Sequence, residues 1–231
     1  MPQPNLPRVL SIQSHVVHGY VGNKCVVLPL NRLGFEVDTI HSVQFSNHTG
    51  YPKFQGTVMS GDELLSLIDG LEENGLLQYT HLLTGYIGSD SLLRAVSEVV
   101  TRLRRVNPDL IYVCDPVQGD DEKLYCHPAL PETFRNITVP LASILTPNQF
   151  EAELITGMKI ADEKDAYEVC KRIHEKGPHT VIITSIKTKN SNVITVVAST
   201  TKKQKEGGAQ VLLLEVPRVE AYFTGTGICS A

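Results

Sequence analysis

Apolar segments of two kinds alternate along the chain. Short runs rich in Val, Ile and Leu indicate strands, whereas apolar residues spaced three or four positions apart are typical of amphipathic helices. This pattern predicts strands at residues 8–13, 36–45, 81–84, 110–114, 143–145 and 180–183. It predicts helices at residues 21–33, 62–74, 90–106, 151–156 and 165–176. Two further β-rich segments flank a polar stretch that we expect to be an exposed hairpin loop, namely 193–197 and 211–216 around 199–210.

The alternation of strands and helices predicts an α/β fold, a doubly wound, mostly parallel sheet with helices on both faces. Continuous apolar runs such as residues 180–183 support a parallel sheet, because its strands are buried on both faces. No internal repeat or linker-like change of composition divides the sequence, so we expect a single domain over residues 1–231. Ligands of such sheets bind outside the carboxyl ends of the strands, where we therefore expect the functional residues.

Composition and charge exclude several classes of partner. Hydrophobic residues make up 42% of the chain and its formal net charge is −4, so a nucleic-acid partner is not expected. The apolar runs are far shorter than the roughly 20 residues of a membrane span, so no membrane partner is expected. Five cysteines without C-x-x-C spacing argue against a disulfide framework or a zinc site. Because residues 1–5 also lack a secretory signal pattern, we expect a cytoplasmic protein.

Acidic groups, an asparagine and glycines follow the predicted strands and would share one edge of the sheet. Asp115 directly follows a buried strand, and Asn148 and Glu151 lie where a later strand leads into a helix. Mg²⁺ prefers carboxylates together with phosphate oxygens, and the bare amides of Gly225-Thr226-Gly227 suit an anion. Each motif also has a structural interpretation, as a turn opener, a charged helix N-terminus and a plain turn. The sequence contains no Walker A motif, no complete G-x-G-x-x-G and no G-x-S-x-G elbow.

Seven longer segments carry a family signature in one order over nearly the whole chain. They are Ser-Ile-Gln-Ser-His (11–15), Gly-Tyr-Val-Gly-Asn (19–23), Val-Gln-Phe-Ser-Asn-His-Thr-Gly-Tyr (43–51), Leu-Thr-Gly-Tyr (83–86), Val-Cys-Asp-Pro-Val (113–117), Thr-Pro-Asn-Gln-Phe-Glu-Ala-Glu (146–153) and Phe-Thr-Gly-Thr-Gly (223–227). Together they resemble the pyridoxal kinase family of the ribokinase-like superfamily. The resemblance implies a homodimer that transfers the ATP γ-phosphoryl group to the 5′-hydroxymethyl of pyridoxal, pyridoxine or pyridoxamine.

The resemblance also implies roles for individual residues. Those expected to face the vitamin are Ser14, Phe45, Thr49, Tyr86 and Gly225. Those expected to serve ATP are Asp115, Tyr125, Asn148, Glu151, Thr184, Ser185 and Thr226. Mg²⁺, with a monovalent cation (K⁺ or Na⁺) left open, is expected near Asp115, Asp120, Thr146 and Glu151. The catalytic anion hole is expected at Gly225, Thr226 and Gly227.

One position departs from the family pattern. The family motif reads Gly-Thr-Gly-Asp, and its Asp takes the proton from the substrate hydroxyl, whereas Ile228 follows Gly227 in this chain. The resemblance also leads us to expect that the chain is truncated after this motif and lacks a C-terminal helical segment. We therefore expect a kinase of impaired activity. The alternatives are a non-catalytic isoform that binds vitamin B6 or nucleotide or regulates a full-length subunit, and a sugar or hydroxymethylpyrimidine kinase.

Overall fold

The computed structural model describes residues 6–120, 122–187, 192–202 and 210–219. Its strands are β1 (Arg8–Val16), β2 (Glu36–Phe45), β3 (Gly56–Val58), β4 (His81–Thr84), β5 (Ile111–Cys114), β6 (Gly119–Asp120), β7 (Lys123–Leu124), β8 (Ile144–Leu145), β9 (Thr180–Ile186), β10 (Val193–Thr200) and β11 (Gln210–Pro217). Its helices are α1 (Asn23–Arg32), α2 (Gly61–Glu73), α3 (Asp90–Val106), α4 (Leu130–Thr133), α5 (Gln149–Thr156) and α6 (Glu163–His174). A π turn (Phe134–Thr138) and a 3₁₀ turn (Val139–Leu141) follow α4.

Nine of the described strands form one sheet in the order β11-β10-β9-β8-β5-β4-β1-β2-β3. The six central strands, from β9 to β2, are parallel, whereas β3, β10 and β11 pair antiparallel with their neighbours. The chain runs from β1 outward to β2 and then returns to β4 on the other side of β1. This change of direction is the switch point at which a ligand crevice opens in such sheets. The predicted doubly wound, mostly parallel sheet is confirmed.

The helices form where apolar periodicity and capping residues coincide. Ser89 caps α3, because its hydroxyl accepts a hydrogen bond from the Leu92 amide at 3.2 Å. The buried residues of α3 recur on one stripe that faces the core, namely Leu92, Leu93, Ala95, Val96, Val99, Val100 and Leu103. A capping box of Ser60 and Glu63 begins α2. These two helices pack against each other and cover one face of the sheet.

The core has a thick layer on one face of the sheet and a thin layer on the other. The larger apolar cluster joins the strands to α2, α3, α5 and α6. The smaller one lies beneath α1 and consists of Val9, Val26, Leu83 and Val113. Alternate strand residues supply the two layers, as Leu82 and Leu83 of β4 show. No helix in the described part of the chain is long and apolar enough to cross a membrane.

The structure corrects the sequence analysis in three places. β9 continues to Ile186, because pairing with β10 extends it, so Thr184 and Ser185 lie within the strand and not after it. The two β-rich segments pair antiparallel as β10 and β11, as expected for a hairpin, but residues 199–200 and 210 of the predicted loop belong to the strands, and residues 203–209 lie outside the described residues. The pattern missed β3, the β6–β7 hairpin and α4, which are too short to establish a periodicity.

Candidate functional site

The candidate residues gather at the carboxyl edge of the six parallel strands, and the strand order divides them into two groups. Asp115, Thr146 and residues 184–185 belong to the half of the edge formed by β5, β8 and β9. Ser14 and Phe45 belong to the half formed by β4, β1 and β2. The two halves meet where β5 pairs with β4. Two ligands bound side by side along this edge would therefore meet near that boundary.

The N-terminus of α5 is tied to the loop that follows β5. The Asn148 side-chain oxygen accepts the Glu151 amide, and Glu151 in turn accepts the Asn148 amide, both at 2.9 Å. The second Glu151 oxygen accepts the Gln118 amide at 2.9 Å, and the Asn148 side chain donates to the Gly119 carbonyl at 2.7 Å. The structure thus brings the predicted pair together. The polar atoms of both side chains already bond to the backbone, so both position the loop.

Two buried carboxyl groups, Asp115 and Glu151, dominate the electrostatics of this half. They are only 5% and 3% exposed. Burial raises the pKa of Asp115 to about 7. Burial, followed by the Asp115 charge, raises the pKa of Glu151 well above its usual range, although three backbone amides oppose this. A cation between or beside these groups would relieve both penalties, and this environment therefore suits a bound positive charge.

Two neutral side-chain oxygen atoms near these carboxyl groups have no hydrogen-bond partner among the described residues. They are the Thr146 hydroxyl and the Gln118 side-chain oxygen, and both are buried. Hydroxyl, amide and carboxylate oxygens are the ligands of hard cations, so these residues fit Mg²⁺. Within the described ranges, no three His, Cys, Asp or Glu side chains gather as a metal site. A cation here would take further ligands from phosphate or water, while Asp120 stands exposed on β6.

Three other residues predicted to serve ATP lie nearby. Thr184 and Ser185 are half-buried in β9, where successive side chains point to opposite faces of the sheet. The expectation that they follow the strand is wrong, and their contact with ATP stays a prediction. The Thr184 amide donates to the Pro147 carbonyl at 2.9 Å, which fixes the β8–α5 connection against β9. Tyr125 is exposed, and its amide donates to the Gln118 carbonyl at 2.8 Å.

The half of the edge formed by β4, β1 and β2 contains a small apolar cluster. Phe45 and Tyr86 belong to it, together with Val16 and Val43. Burial raises the pKa of the Tyr86 hydroxyl. The structure thus brings two predicted vitamin-side residues together around an aromatic surface. A flat heterocycle could stack against such a surface.

Thr49 lies outside that cluster, on the loop between β2 and β3. The residue is exposed, and the Phe54 ring of the same loop packs at 5.0 Å from the Phe45 ring, centroid to centroid. An open groove of about 470 Å³ runs along this loop, lined by His18, Asn47, Tyr51, Pro52 and Lys53. The loop thus packs beside Phe45 at this half of the edge, and the contact of Thr49 with the vitamin stays a prediction from the sequence.

The sequence does not show why a glycine is needed at position 22, directly before α1, and the structure supplies the reason. Gly22 has φ +43°, and a Cβ there would lie 2.2 Å from the Ser14 carbonyl oxygen and 2.6 Å from its hydroxyl. Next to it, the buried Asn23 accepts from the Ser11 hydroxyl at 2.8 Å and donates to the Ile40 carbonyl at 3.0 Å. These contacts dock the start of α1 against the ends of β1 and β2. The Gly-Asn pair is the signal that could have identified them.

Gly22→Ala is expected to lower the free energy of unfolding by about 2–4 kcal/mol, because strain at positive φ adds to overpacking against backbone atoms. Gly19→Ala is the matched control: its φ is +94°, but a Cβ there meets no atom within 4 Å. The control is expected to lose about 1 kcal/mol from backbone strain alone. Urea unfolding of both variants measures the difference, and equal losses would show that close approach to Ser14 is unimportant.

The glycine-rich segment cannot be placed in this site. Gly225, Thr226, Gly227 and Ile228 lie outside the described residues. The predicted anion hole and the predicted contacts of Gly225 and Thr226 therefore remain predictions from the sequence.

Comparisons with known proteins give one family model and several pyridoxal kinases. The family model described as phosphomethylpyrimidine kinase matches residues 77–230. A pyridoxal kinase of Arabidopsis thaliana is 54% identical over 220 residues, which are 95% of this chain and 70% of that protein. A pyridoxal kinase of Homo sapiens is 44% identical over 95% of this chain and 73% of its own. The structure of a Leishmania donovani pyridoxal kinase in complex with ADP and pyridoxamine is 37% identical, with a TM-score of 0.90 over 96% of this chain and 78% of that one.

Proposed function

This chain belongs to the pyridoxal kinase family, and we propose that it binds ATP and a B6 vitamer in the two halves of the site. In this proposal the γ-phosphoryl group passes to the 5′-hydroxymethyl group of pyridoxal, pyridoxine or pyridoxamine. The observation that carries it is the division of one sheet edge into a half with two buried carboxyl groups and a half with an aromatic cluster. The Leishmania complexes of ADP with pyridoxamine or pyridoxine support a site for two ligands.

The half formed by β5, β8 and β9 would hold the nucleotide. When bound, Mg²⁺ would neutralise charge on the transferring phosphoryl group. Asp115 and Thr146 would offer oxygen atoms to that ion, with Glu151 beside them. Asn148 and Glu151 hold the α5 N-terminus, whose positive dipole end favours a phosphate. Further contacts with ATP are proposed for Tyr125, Thr184 and Ser185.

The half formed by β4, β1 and β2 would hold the vitamin. The Phe45 and Tyr86 rings offer flat apolar surfaces to a pyridine ring. Ser14, 9% exposed at the end of β1, would hydrogen-bond to a polar substituent, and Thr49 would close the site from the loop. Because the two halves adjoin at β4 and β5, the acceptor hydroxyl and the γ-phosphoryl group would meet at the boundary. Such positioning supplies most of the catalysis in phosphoryl transfer.

Thr49→Ala is expected to weaken pyridoxal binding about 5- to 10-fold, the loss of one hydrogen bond, and to leave the affinity for an ATP analogue within about two-fold. Thr57→Ala, which changes an equally exposed threonine on β3, is the matched control and should alter neither affinity. Calorimetric titration of each ligand into the purified proteins measures both constants. Equal weakening of both ligands by Thr49→Ala would contradict the division into two halves.

A non-catalytic binding protein is the second candidate function, and one observation favours it. Ile228 stands where the family places its general base, and an isoleucine side chain accepts no proton. A protein of this kind would bind B6 vitamers and nucleotide at the same two halves without turnover. Phosphate transfer measured beside a pyridoxal titration separates the two candidates, because both predict binding and only the first predicts product.

We also propose three further features for this chain: a homodimer, a monovalent cation and a cytoplasmic location. A homodimer is supported by three exposed apolar side chains, namely Leu28 on α1, Leu33 directly after α1 and Val58 on β3. A K⁺ or Na⁺ ion is proposed near Asp120 and Thr146, where the Thr146 hydroxyl lacks a partner among the described residues. A cytoplasmic location is supported by the cysteine pattern of the sequence.

A further inference from the structure

Two stacked imidazoles lie on the neighbouring strands β1 and β2, outside the residues assigned above: His15 is near the end of β1, and His41 is near the middle of β2. The rings of His15 and His41 are parallel within 4°, and their centroids are 4.2 Å apart. His15 Nδ1 is buried and has no hydrogen-bond partner in the described part of the chain. Neutral rings in this arrangement attract each other through dispersion and apolar contact. Two protonated rings at the same distance would repel each other.

The charged groups that act on His15 come from two elements and are all basic. His41 belongs to β2, and Lys24 belongs to α1, where its ammonium donates to the Val17 carbonyl at 3.0 Å. Burial, then His41, then Lys24 lower the pKa of His15. A shared metal ion is not supported, because imidazole lone pairs lie in the ring planes and those of stacked parallel rings do not converge.

We propose that His15 and His41 form an acid-sensitive clamp, which holds β1 and β2 together across the register shift between Gln13 and Ser14 at neutral pH and loosens them as the pH falls. The clamp adjoins the proposed vitamin half, since Ser14 directly precedes His15 and Phe45 ends β2. Acid would therefore weaken vitamin binding as well as the fold. The effect on vitamin binding rests on the proposed function, whereas the effect on stability does not.

The direction of the pH effect follows from proton linkage. A histidine whose pKa is lower in the folded state binds its proton more readily when the chain is unfolded. Its stabilising contribution is complete above the ordinary pKa of 6.5 and is lost as the pH falls through the folded-state pKa. The clamp should therefore be intact at pH 8.0 and weakened at pH 5.5.

The first test is thermal unfolding without ligand at pH 8.0 and 5.5. His41→Asn removes the second ring and its charge, so the fall in midpoint between the two pH values should be several degrees smaller than in the wild type. His18→Asn changes an exposed histidine and should reproduce the wild-type fall. If His41→Asn does not fold, His41→Phe keeps a ring without a titrating group and should also reduce the fall. An unchanged fall in the folded variant overturns the clamp.

The second test compares pyridoxal affinity at the same two pH values. The ratio of wild-type to His41→Asn dissociation constants removes the ionisation of pyridoxal itself from the comparison. This ratio should be below 1 at pH 8.0, because the variant lacks the stacked ring, and should rise at least about 5-fold between pH 8.0 and pH 5.5, which supports a link between the clamp and vitamin binding. A ratio that stays constant overturns that link. If neither protein binds pyridoxal at pH 8.0, the proposed function fails, and the thermal test still decides the clamp.

Discussion

Asp115→Asn is expected to stabilise the free protein and, at the same time, to weaken its Mg²⁺-dependent binding of ATP by at least about 100-fold. The side chain is almost fully buried and its pKa rises to about 7, so the ionised form costs free energy in the folded state. Asparagine keeps the shape and removes the charge. The same charge is what a bound cation would need, and stability and binding are therefore expected to change in opposite directions.

The stabilisation should depend on pH in a defined way. A carboxyl group whose folded-state pKa is raised from its ordinary 3.8 to about 7 contributes stability below pH 3.8 and loses it as the pH rises to about 7. This shift corresponds to at most about 4 kcal/mol at pH 8. The advantage of Asp115→Asn should therefore be larger at pH 8 than at pH 5.

Urea unfolding at the two pH values and ATP titration with and without Mg²⁺ measure these effects. Asp109→Asn is the matched control, because Asp109 carries the same side chain in an exposed position. The control should change neither stability nor ATP affinity appreciably. A destabilised Asp115→Asn that still binds ATP with Mg²⁺ would show that Asp115 has a purely structural role as a turn opener.

The sequence predicts those elements whose periodicity and end signals agree. β2, β4 and α3 have the predicted bounds, because each combines a long or continuous apolar pattern with a clear capping residue or turn. The strand order follows less directly, since it depends on right-handed crossovers and on tertiary packing. β9 illustrates the limit: its last residues, Thr184 to Ile186, are polar or isolated and become strand only because β10 pairs with them.

The site could be predicted in part for a similar reason. Residues that follow strands, such as Asp115 and Thr146, share an edge as soon as the sheet is parallel. The structural and functional interpretations of Asn148 and Glu151 could not be separated from sequence, because a capping box and a phosphate-binding helix N-terminus need the same residue types. Gln118 gave no signal, since its burial depends on the Glu151 contact with its backbone amide.

The 231-residue chain is expected to phosphorylate pyridoxal well below about 1 s⁻¹, a modest rate for an enzyme. A positioned general base contributes about 10²- to 10⁴-fold to such a reaction, and Ile228 accepts no proton from the acceptor hydroxyl. Binding of pyridoxal and ATP does not depend on that proton transfer. The chain should therefore bind pyridoxal and ATP with affinities close to those of the family, whereas its turnover should be far slower.

A chimera tests whether the missing base is the cause. In the chimera, this chain is joined before Ile228 to the segment that follows the Gly-Thr-Gly motif in the Arabidopsis relative, where the family pattern implies an Asp. Turnover measured with isotope-labelled ATP should rise at least 10²-fold in the chimera, with pyridoxal affinity changed far less. Ile228→Asp in the unaltered chain separates the carboxylate from the rest of the joined segment. A purified wild-type chain that already turns over at 1 s⁻¹ or more would show that another group takes the proton from the acceptor hydroxyl.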